Sequence, residues 1–223
     1  MTPVCLEPKQ YERVKADAGR VLPRELWHRM ERIVAAMALI VLVPVLITIA
    51  ALIAILSRRN PLIRHTRVGW RGRPLPMLKF RTMWDARSPV AGRFSIETVS
   101  GPPTGLKRSV DPRVISHFAA FCRRHSLDEL PQLCHVVSGE MSFVGPRPIT
   151  AEELSEYYGH CASEILSVRP GMTGLWQVRG RSRLNYARRK HFDLVLVRRA
   201  SASLYFGILL RSFAAVLSGR DAY

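Results

Sequence analysis

The sequence predicts a mainly α-helical chain with one short β-hairpin, an α+β fold tied to a bilayer by one apolar segment. Three observations carry that prediction. An uncharged run from Ile33 to Leu56 is long enough to cross a bilayer as a helix. Two short extended runs within residues 62–84 flank Gly69, Arg71, Gly72 and Pro74, which suit a hairpin turn. Beyond residue 110, apolar residues recur at helical spacing between capping and stopping residues.

Composition narrows the classes. The chain has 223 residues, with 34 Lys+Arg against 17 Asp+Glu and a formal net charge of +17, yet 48% of it is hydrophobic. That apolar share excludes a disordered basic tail, and a polytopic transporter would carry many more long apolar stretches. The length fits one domain with a real core. Arginine supplies nearly all the positive charge, lysine occurring only at Lys9, Lys15, Lys79, Lys107 and Lys190. Its planar fork suits phosphate-rich partners, whether nucleic acid, nucleotides or anionic lipid headgroups. Genomic base composition accounts equally well for the bulk of the arginines. Cys5, Cys122, Cys134 and Cys161 lie far apart without zinc-type spacing and read as reduced, mostly buried thiols.

Residues 1–32 form a polar N-terminal extension and residues 33–56 the membrane segment. Arg24, His28, Arg29 and Arg32 flank the start of that segment, and Arg58, Arg59, Arg64 and Arg67 its end. Basic flanks prefer the cytoplasm, so a simple span puts one cluster on the wrong side. Pro44 removes the bond to the Ile40 carbonyl and bends the helix. Together these favour a re-entrant helix–break–helix at Pro44. A kinked span fits the residues equally, and a buried soluble helix is a third arrangement. After the hairpin, residues 85–110 read as one long Pro/Gly-rich loop. Asp111-Pro112 opens a helix with apolar face Val114, Ile115, Phe118, Phe121 and Cys122. The next helix starts after Asp128 and stops at Gly139, because Asp128 as cap puts Pro131 where no N–H bond is needed. A helix over 151–168, a loop over 169–183 and a largely helical C-terminal stretch complete the order. In that stretch Leu204, Ile208, Leu209 and Val216 suit a membrane-surface helix or a core helix alike.

Chemistry concentrates in residues 122–148. Asp128 and Glu129 sit at a helix start that favours anions. Asp128 there can serve as a nucleophile or metal ligand, and Glu129 as a second ligand or base. The plainer reading makes Asp128 a cap only. Arg123, Arg124 and His125 supply charge for a phosphorylated substrate. In Gly145-Pro146-Arg147-Pro148 two prolines stiffen the backbone around an arginine, and Arg169-Pro170-Gly171 sets another beside a turn. No P-loop, G-x-G-x-x-G, H-E-x-x-H or G-x-S-x-G occurs.

Taken together, these segments resemble the bacterial sugar transferases, the monotopic polyprenyl-phosphate phosphoglycosyl transferases, and in length the small exopolysaccharide-initiating members. The matching blocks are Thr66-Arg67-Val68-Gly69, Lys79-Phe80-Arg81-Thr82-Met83, Asp111-Pro112-Arg113-Val114, and residues 123–132 around S-L-D-E-L-P-Q. Residues 139–148, containing M-S-F-V-G-P-R-P, and residues 169–178 complete the set. The resemblance implies a monotopic protein with the re-entrant helix, both ends cytoplasmic, and a 57–223 catalytic domain with interfacial helices on the cytoplasmic face of the bacterial inner membrane. It implies a ping-pong reaction in which Asp128 attacks the sugar-linked phosphate of a UDP-sugar. UMP leaves, and polyprenyl (undecaprenyl) phosphate takes the phosphosugar. Glu129, with Asp128, would hold Mg²⁺. Lys79, Arg81, Arg123, Pro146, Arg147 and Arg169 match positions around the phosphates or nucleotide. Membrane lipids and a homodimeric partner are compatible with it, and nucleic acid is not expected.

The chain departs from the family pattern at three places. Val43 stands where a serine often precedes the mid-membrane proline, His65-Thr66 where a glutamine usually precedes R-V-G, and Ser203-Leu204-Tyr205-Phe206 where an aspartate is common. The competing reading is a membrane-tethered basic protein that binds nucleic acid or lipid without catalysis. Against it, the arginines are scattered and not interleaved with stacking aromatics. A further alternative is a non-catalytic scaffold of the same ancestry.

Overall fold

The computed structural model describes residues 24–83, 96–99, 116–180 and 184–219. The matching block at 111–115, most of the expected long loop and the C-terminal tail lie outside these residues.

Helix α1 runs from Arg24 to Ser57. It starts well before the uncharged run, so residues 24–32, read from the sequence as part of a polar extension, form its first turns. Its helical winding continues through Pro44, where the sequence suggested a break. Thr48 Oγ1 donates to the Pro44 carbonyl at 2.8 Å, a side-chain bond inside the helix next to the proline. α1 is long and apolar enough to cross a membrane. One stripe of it faces the protein: Ala35 packs with Leu75, Met77, Leu133 and Val136, and Ile49 and Ile53 pack with Phe80 and Cys122. Ile33, Met37, Ile40, Val41, Ile47 and Ile55 remain exposed on its other sides.

The hairpin forms as the turn residues suggest. Strand β1 (Leu62–Val68) pairs antiparallel with β2 (Pro74–Phe80), Leu62 opposite Phe80 and Val68 opposite Pro74. Arg71 and Gly72 take positive φ in the turn, which lets two strands meet over so few residues. Strand β3 (Glu97–Val99) joins β1 in parallel, inside what the sequence presented as loop.

Helix α2 (His117–Arg124) opens on Ser116, whose side chain accepts from the Ala119 N–H. The expected start at Asp111 is therefore wrong for this helix, because Ser116 is extended. A 3₁₀ turn (Leu127–Gln132) then leads into α3 (Leu133–Ser138), closed by Gly139 at φ 84°. The α-helix proper begins past Pro131, which has no N–H to give its ladder. Strand β4 (Ser142–Val144) pairs in parallel with β5 (Gly171–Thr173). Between them, α4 (Ala151–Glu153) opens with a capping box, Thr150 accepting from the Glu153 N–H. The chain continues through a π turn (Leu154–Tyr158) and a 3₁₀ turn (Gly159–Cys161) to α5 (Ala162–Leu166). Helix α6 (Leu175–Arg179) lies inside the expected 169–183 loop. The C-terminal stretch is two helices, α7 (Tyr186–Arg198) and α8 (Ala202–Ser218), capped by Asn185 and Ser201. Cys122 and Cys134 are free thiols as expected. Cys161 is disulfide-bonded, against that expectation.

Close backbone approach at the β4–β5 crossing demands glycine. A Cβ at Gly145 would lie 2.6 Å from the Arg169 carbonyl oxygen and 2.7 Å from the Gly171 nitrogen, and one at Gly171 would collide with the Gly145 nitrogen. Gly171→Ala is therefore expected to cost about 2 kcal/mol or more, measured by thermal unfolding in detergent. A melting temperature within one degree of wild type would contradict this packing.

Candidate active site

Four pieces of chain meet around Glu129. The first is the 3₁₀ turn that carries Asp128 and Glu129, entered through Ser126 in the left-handed region at φ 53°. That is an uncommon conformation for a non-glycine residue and marks local strain beside the carboxylates. Leu127 and Leu130, either side of the pair, pack beside Ile49 and Ile53 of α1. The cap position falls to Ser126 rather than Asp128, without a side-chain cap bond; the turn starts at Leu127 and the Glu129 N–H donates to the Ser126 carbonyl at 3.1 Å.

The second piece is β2, which delivers Lys79. Its Nζ donates to Glu129 Oε1 at 2.7 Å. The register of β2 is held from behind, where the Leu78 N–H donates to His135 Nε2 at 3.1 Å and His135 Nδ1 meets Glu140 Oε2 at 2.7 Å. The third is the Gly145–Pro148 strap, whose Arg147 Nη2 donates to the same Glu129 oxygen at 3.0 Å. Burial alone would raise the Glu129 pKa. Lys79 and Arg147 outweigh it and hold the carboxyl well below the usual range. Reciprocally, Glu129 raises the pKa of Arg147, and Asp128 adds to that from nearby.

The fourth is β1. Residues paired across β1 and β2 share a face of the sheet, so His65 and Arg67 lie on the side that carries Lys79. Arg67 Nη1 donates to Glu153 Oε2 at 3.3 Å, and Tyr186 Oη donates to Glu153 Oε1 at 2.9 Å. Burial, then Lys79, Arg67 and Arg147, push His65 down to about 4. It is a neutral imidazole at neutral pH among three cations.

The remaining expected residues fall into place differently. The β4–β5 pairing brings the two Pro/Gly/Arg turns together, since the Gly171 N–H donates to the Pro146 carbonyl at 2.9 Å. Pro146 is buried and lines a small cavity with Arg147, Val68 and Pro170. Arg169 stacks over Trp70 with its guanidinium carbon 4.9 Å from the ring centroid. Arg169 Nε and Arg123 Nε are buried donors without a partner among the described residues, as is Arg67 Nε. Unspent buried donors are costly, and an anionic ligand would satisfy them. Arg81 stands apart: its Nε donates to the Asn60 carbonyl at 2.9 Å and its Nη1 to Glu97, so it ties β2 to β1 and β3. No contact joins Arg81 to Glu129 among the described residues.

Sequence reasoning passed over Glu153, Tyr186 and Asp193. Thr150-x-x-Glu153 was a visible capping box, and Asp193 was visible as a single acid within an otherwise apolar run, Phe192 to Val197. Tyr186 carried no signal.

Among the described residues no cluster of three or more His, Cys, Asp or Glu could hold a metal ion alone. The adjacent carboxylates of Asp128 and Glu129 still fit Mg²⁺. That ion is commonly held by one or two carboxylates, with substrate phosphates and water completing its shell. The arrangement thus sets two adjacent carboxylates, one fixed by two cations, beside several arginines, groups that phosphoryl transfer can use.

Comparison with known proteins gives this geometry a context. The sequence model of a family described as bacterial sugar transferase matches residues 24–219. An uncharacterised sugar transferase of Haemophilus influenzae is 39% identical over 208 residues, covering 92% of this chain and 44% of that protein. The exopolysaccharide production protein ExoY of Sinorhizobium fredii is 37% identical over 194 residues, 86% of this chain and 85% of its own length. The undecaprenyl-phosphate galactose phosphotransferase of Salmonella typhimurium is 38% identical over 166 residues, 71% of this chain but 34% of its own length. This chain therefore spans less than half of two of these relatives and most of ExoY.

Proposed function

The chain belongs to the bacterial sugar transferase family, and from that premise we propose that it moves a phosphosugar from a UDP-sugar to polyprenyl (undecaprenyl) phosphate, releasing UMP. The observation that carries this reading is Glu129, clamped by Lys79 and Arg147 in the residue next to Asp128.

The reaction has two displacements. An Asp128 carboxylate oxygen attacks the sugar-linked phosphorus of the donor; the bond to the bridging oxygen breaks, and UMP departs with that oxygen. The phosphosugar is then an acyl phosphate on Asp128. A phosphate oxygen of the polyprenyl phosphate attacks the same phosphorus, the Asp128–phosphorus bond breaks, and the carboxylate is restored. Lys79 and Arg147, shared between Glu129 and the donor's phosphates, neutralise charge as it moves. Arg123 and Arg169 lend their unspent Nε donors to the same anion. Glu129 and Asp128 would hold Mg²⁺, which would supply Lewis-acid neutralisation of the diphosphate. His65 contributes a neutral donor and acceptor that adds no charge to the site.

The acceptor lives in lipid, and α1 suits that meeting. Glu31, near its start, accepts from the Phe143 N–H at 3.1 Å and from Ser142 and Tyr205, while Ile53, near its end, packs under Phe80 and Cys122. Both ends therefore touch the same domain, which favours a helix held against one membrane face over a simple span. Phe206, Leu210, Phe213 and Leu217 form an exposed stripe on α8 that fits the same membrane surface. Both features support a position at the bacterial inner membrane, facing the cytoplasm.

The test is UMP release from a panel of UDP-sugars in detergent or nanodiscs. One donor at least should yield about one UMP per enzyme before acceptor is added and continuous turnover after. EDTA should lower the rate by about 100-fold or more. UMP that appears only when both substrates are present would defeat the two-step scheme.

A further inference from the structure

One carboxylate near the site has no part in the proposed reaction. Asp193 on α7 is fully buried, 0% exposed, beside Leu194, Val197, Ile149 and Tyr158. Its Oδ2 accepts from Tyr158 Oη at 2.8 Å, and its Oδ1 closes no hydrogen bond among the described residues. After Tyr158, the group that most favours its charged form is the Arg147 backbone N–H, followed by the Arg147 and Arg189 guanidiniums. A buried acid with an unspent oxygen thus lies under the strap whose side chain grips Glu129.

We propose that Asp193 is a positioning residue whose protonation state sets the Gly145–Pro148 strap and, through Arg147, the rate of phosphosugar transfer. The claim rests on the reaction proposed above. When Asp193 is ionised, its carboxylate attracts the Arg147 N–H and draws the strap inward. When it is protonated, that attraction is lost and the strap relaxes. Arg147 then loses its aim on Glu129 and on the donor's phosphates.

Burial pushes Asp193 up to about 7 against the opposing pull of Tyr158 and the two arginines. The groups that face it do not titrate in that range. Tyr158, from the π turn, is pushed far up by burial and by Asp193, and Arg147, from the strap, is raised by Glu129. Arg189 lies on the same helix as Asp193, and Glu153 faces Tyr158.

The experiment compares wild type, Asp193→Asn and Tyr158→Phe from pH 5.5 to 8.5. Its first readout is single-turnover UMP release without acceptor, so that no acceptor phosphate monoester titrates in the assay. Below its midpoint near pH 7, the wild-type rate should fall about tenfold per pH unit. Asp193→Asn should stay near the wild-type acid limit at every pH, because its amide offers donors to the strap. Tyr158→Phe should move the midpoint upward, having lost an anion-favouring hydrogen bond.

The second readout is thermal unfolding, which needs no substrate. The folded pKa near 7 exceeds the ordinary carboxyl value of 3.8, so the folded chain holds an extra proton between them. That contribution is full below about pH 4 and is lost as pH rises to 7. The wild-type melting temperature should therefore drop relative to Asp193→Asn across that window and run parallel above it. Parallel curves throughout would overturn the titration. Diverging curves with an unchanged pH–rate limb in Asp193→Asn would overturn the positioning role. Diverging curves with no UMP release from wild type on any donor would sink the reaction, and with it the strap's effect on rate, while confirming the titration.

Discussion

Asp128→Asn should abolish transfer. The amide keeps the size and the place of Asp128 at the first turn after Ser126 but is not a nucleophile, so the covalent phosphosugar cannot form. Losing a nucleophile of this kind costs about three to five orders of magnitude in rate. Intact-protein mass spectrometry supplies the direct check. Wild type incubated with the donor alone should gain the mass of one phosphosugar, labile as an acyl phosphate is, and Asp128→Asn should gain none. A variant that still releases UMP within tenfold of wild type would remove Asp128 from the reaction. Circular dichroism and thermal unfolding of Asp128→Asn separate a loss of chemistry from a loss of fold.

The second large effect is Glu129→Gln. One oxygen of Glu129 neutralises both Lys79 at 2.7 Å and Arg147 at 3.0 Å, with its side chain one-fifth exposed. A neutral amide leaves those cations facing each other with no anion between them. Breaking a buried pair costs about 3–5 kcal/mol, and partial exposure reduces this to about 2. Activity should fall at least 100-fold, since the same cations orient the donor's phosphates. The pH dependence carries the sign. Because the folded carboxyl is held well below its ordinary value of 4.5, its stabilisation is present above about pH 4.5 and is lost as pH falls toward the folded value. Acid denaturation curves should therefore converge for wild type and Glu129→Gln below pH 4.5 and separate above it. Curves that stay apart equally at pH 3 and pH 7 would contradict the ion pair.

The parts of this fold that were legible are those governed by neighbours in sequence. The hairpin follows from Gly69, Arg71, Gly72 and Pro74, and the end of α3 from Gly139, because turns and helix ends are local events. The β4–β5 pair was invisible. Three-residue strands joined in parallel across some 30 residues have no periodicity to read, and their pairing is decided by two glycines that let the backbones touch. The same asymmetry runs through the site. Asp128, Glu129, Lys79 and Arg147 were identified through the resemblance, and the structure brings three of them into direct contact. Arg81, two residues along the strand from Lys79, could not be told from it by sequence. Its separate part comes from Asn60 and Glu97, neither of which any motif joins to it. Asp193 was overlooked because its meaning depends on burial, which a charged letter in an apolar run only hints at.

Helix α1 changes what anchoring means for this molecule. A tether that only holds an enzyme near its substrate is interchangeable with any other tether. Ala35, Ile49 and Ile53 instead belong to the interior, under the strand that carries Lys79 and the turn that carries Asp128. With its outer residues in lipid, as proposed, the bilayer and the proposed reaction would share one wall, a single helix thick. Changes in membrane thickness or tension would reach the carboxylates mechanically, and a version trimmed of this helix would lose part of its own floor.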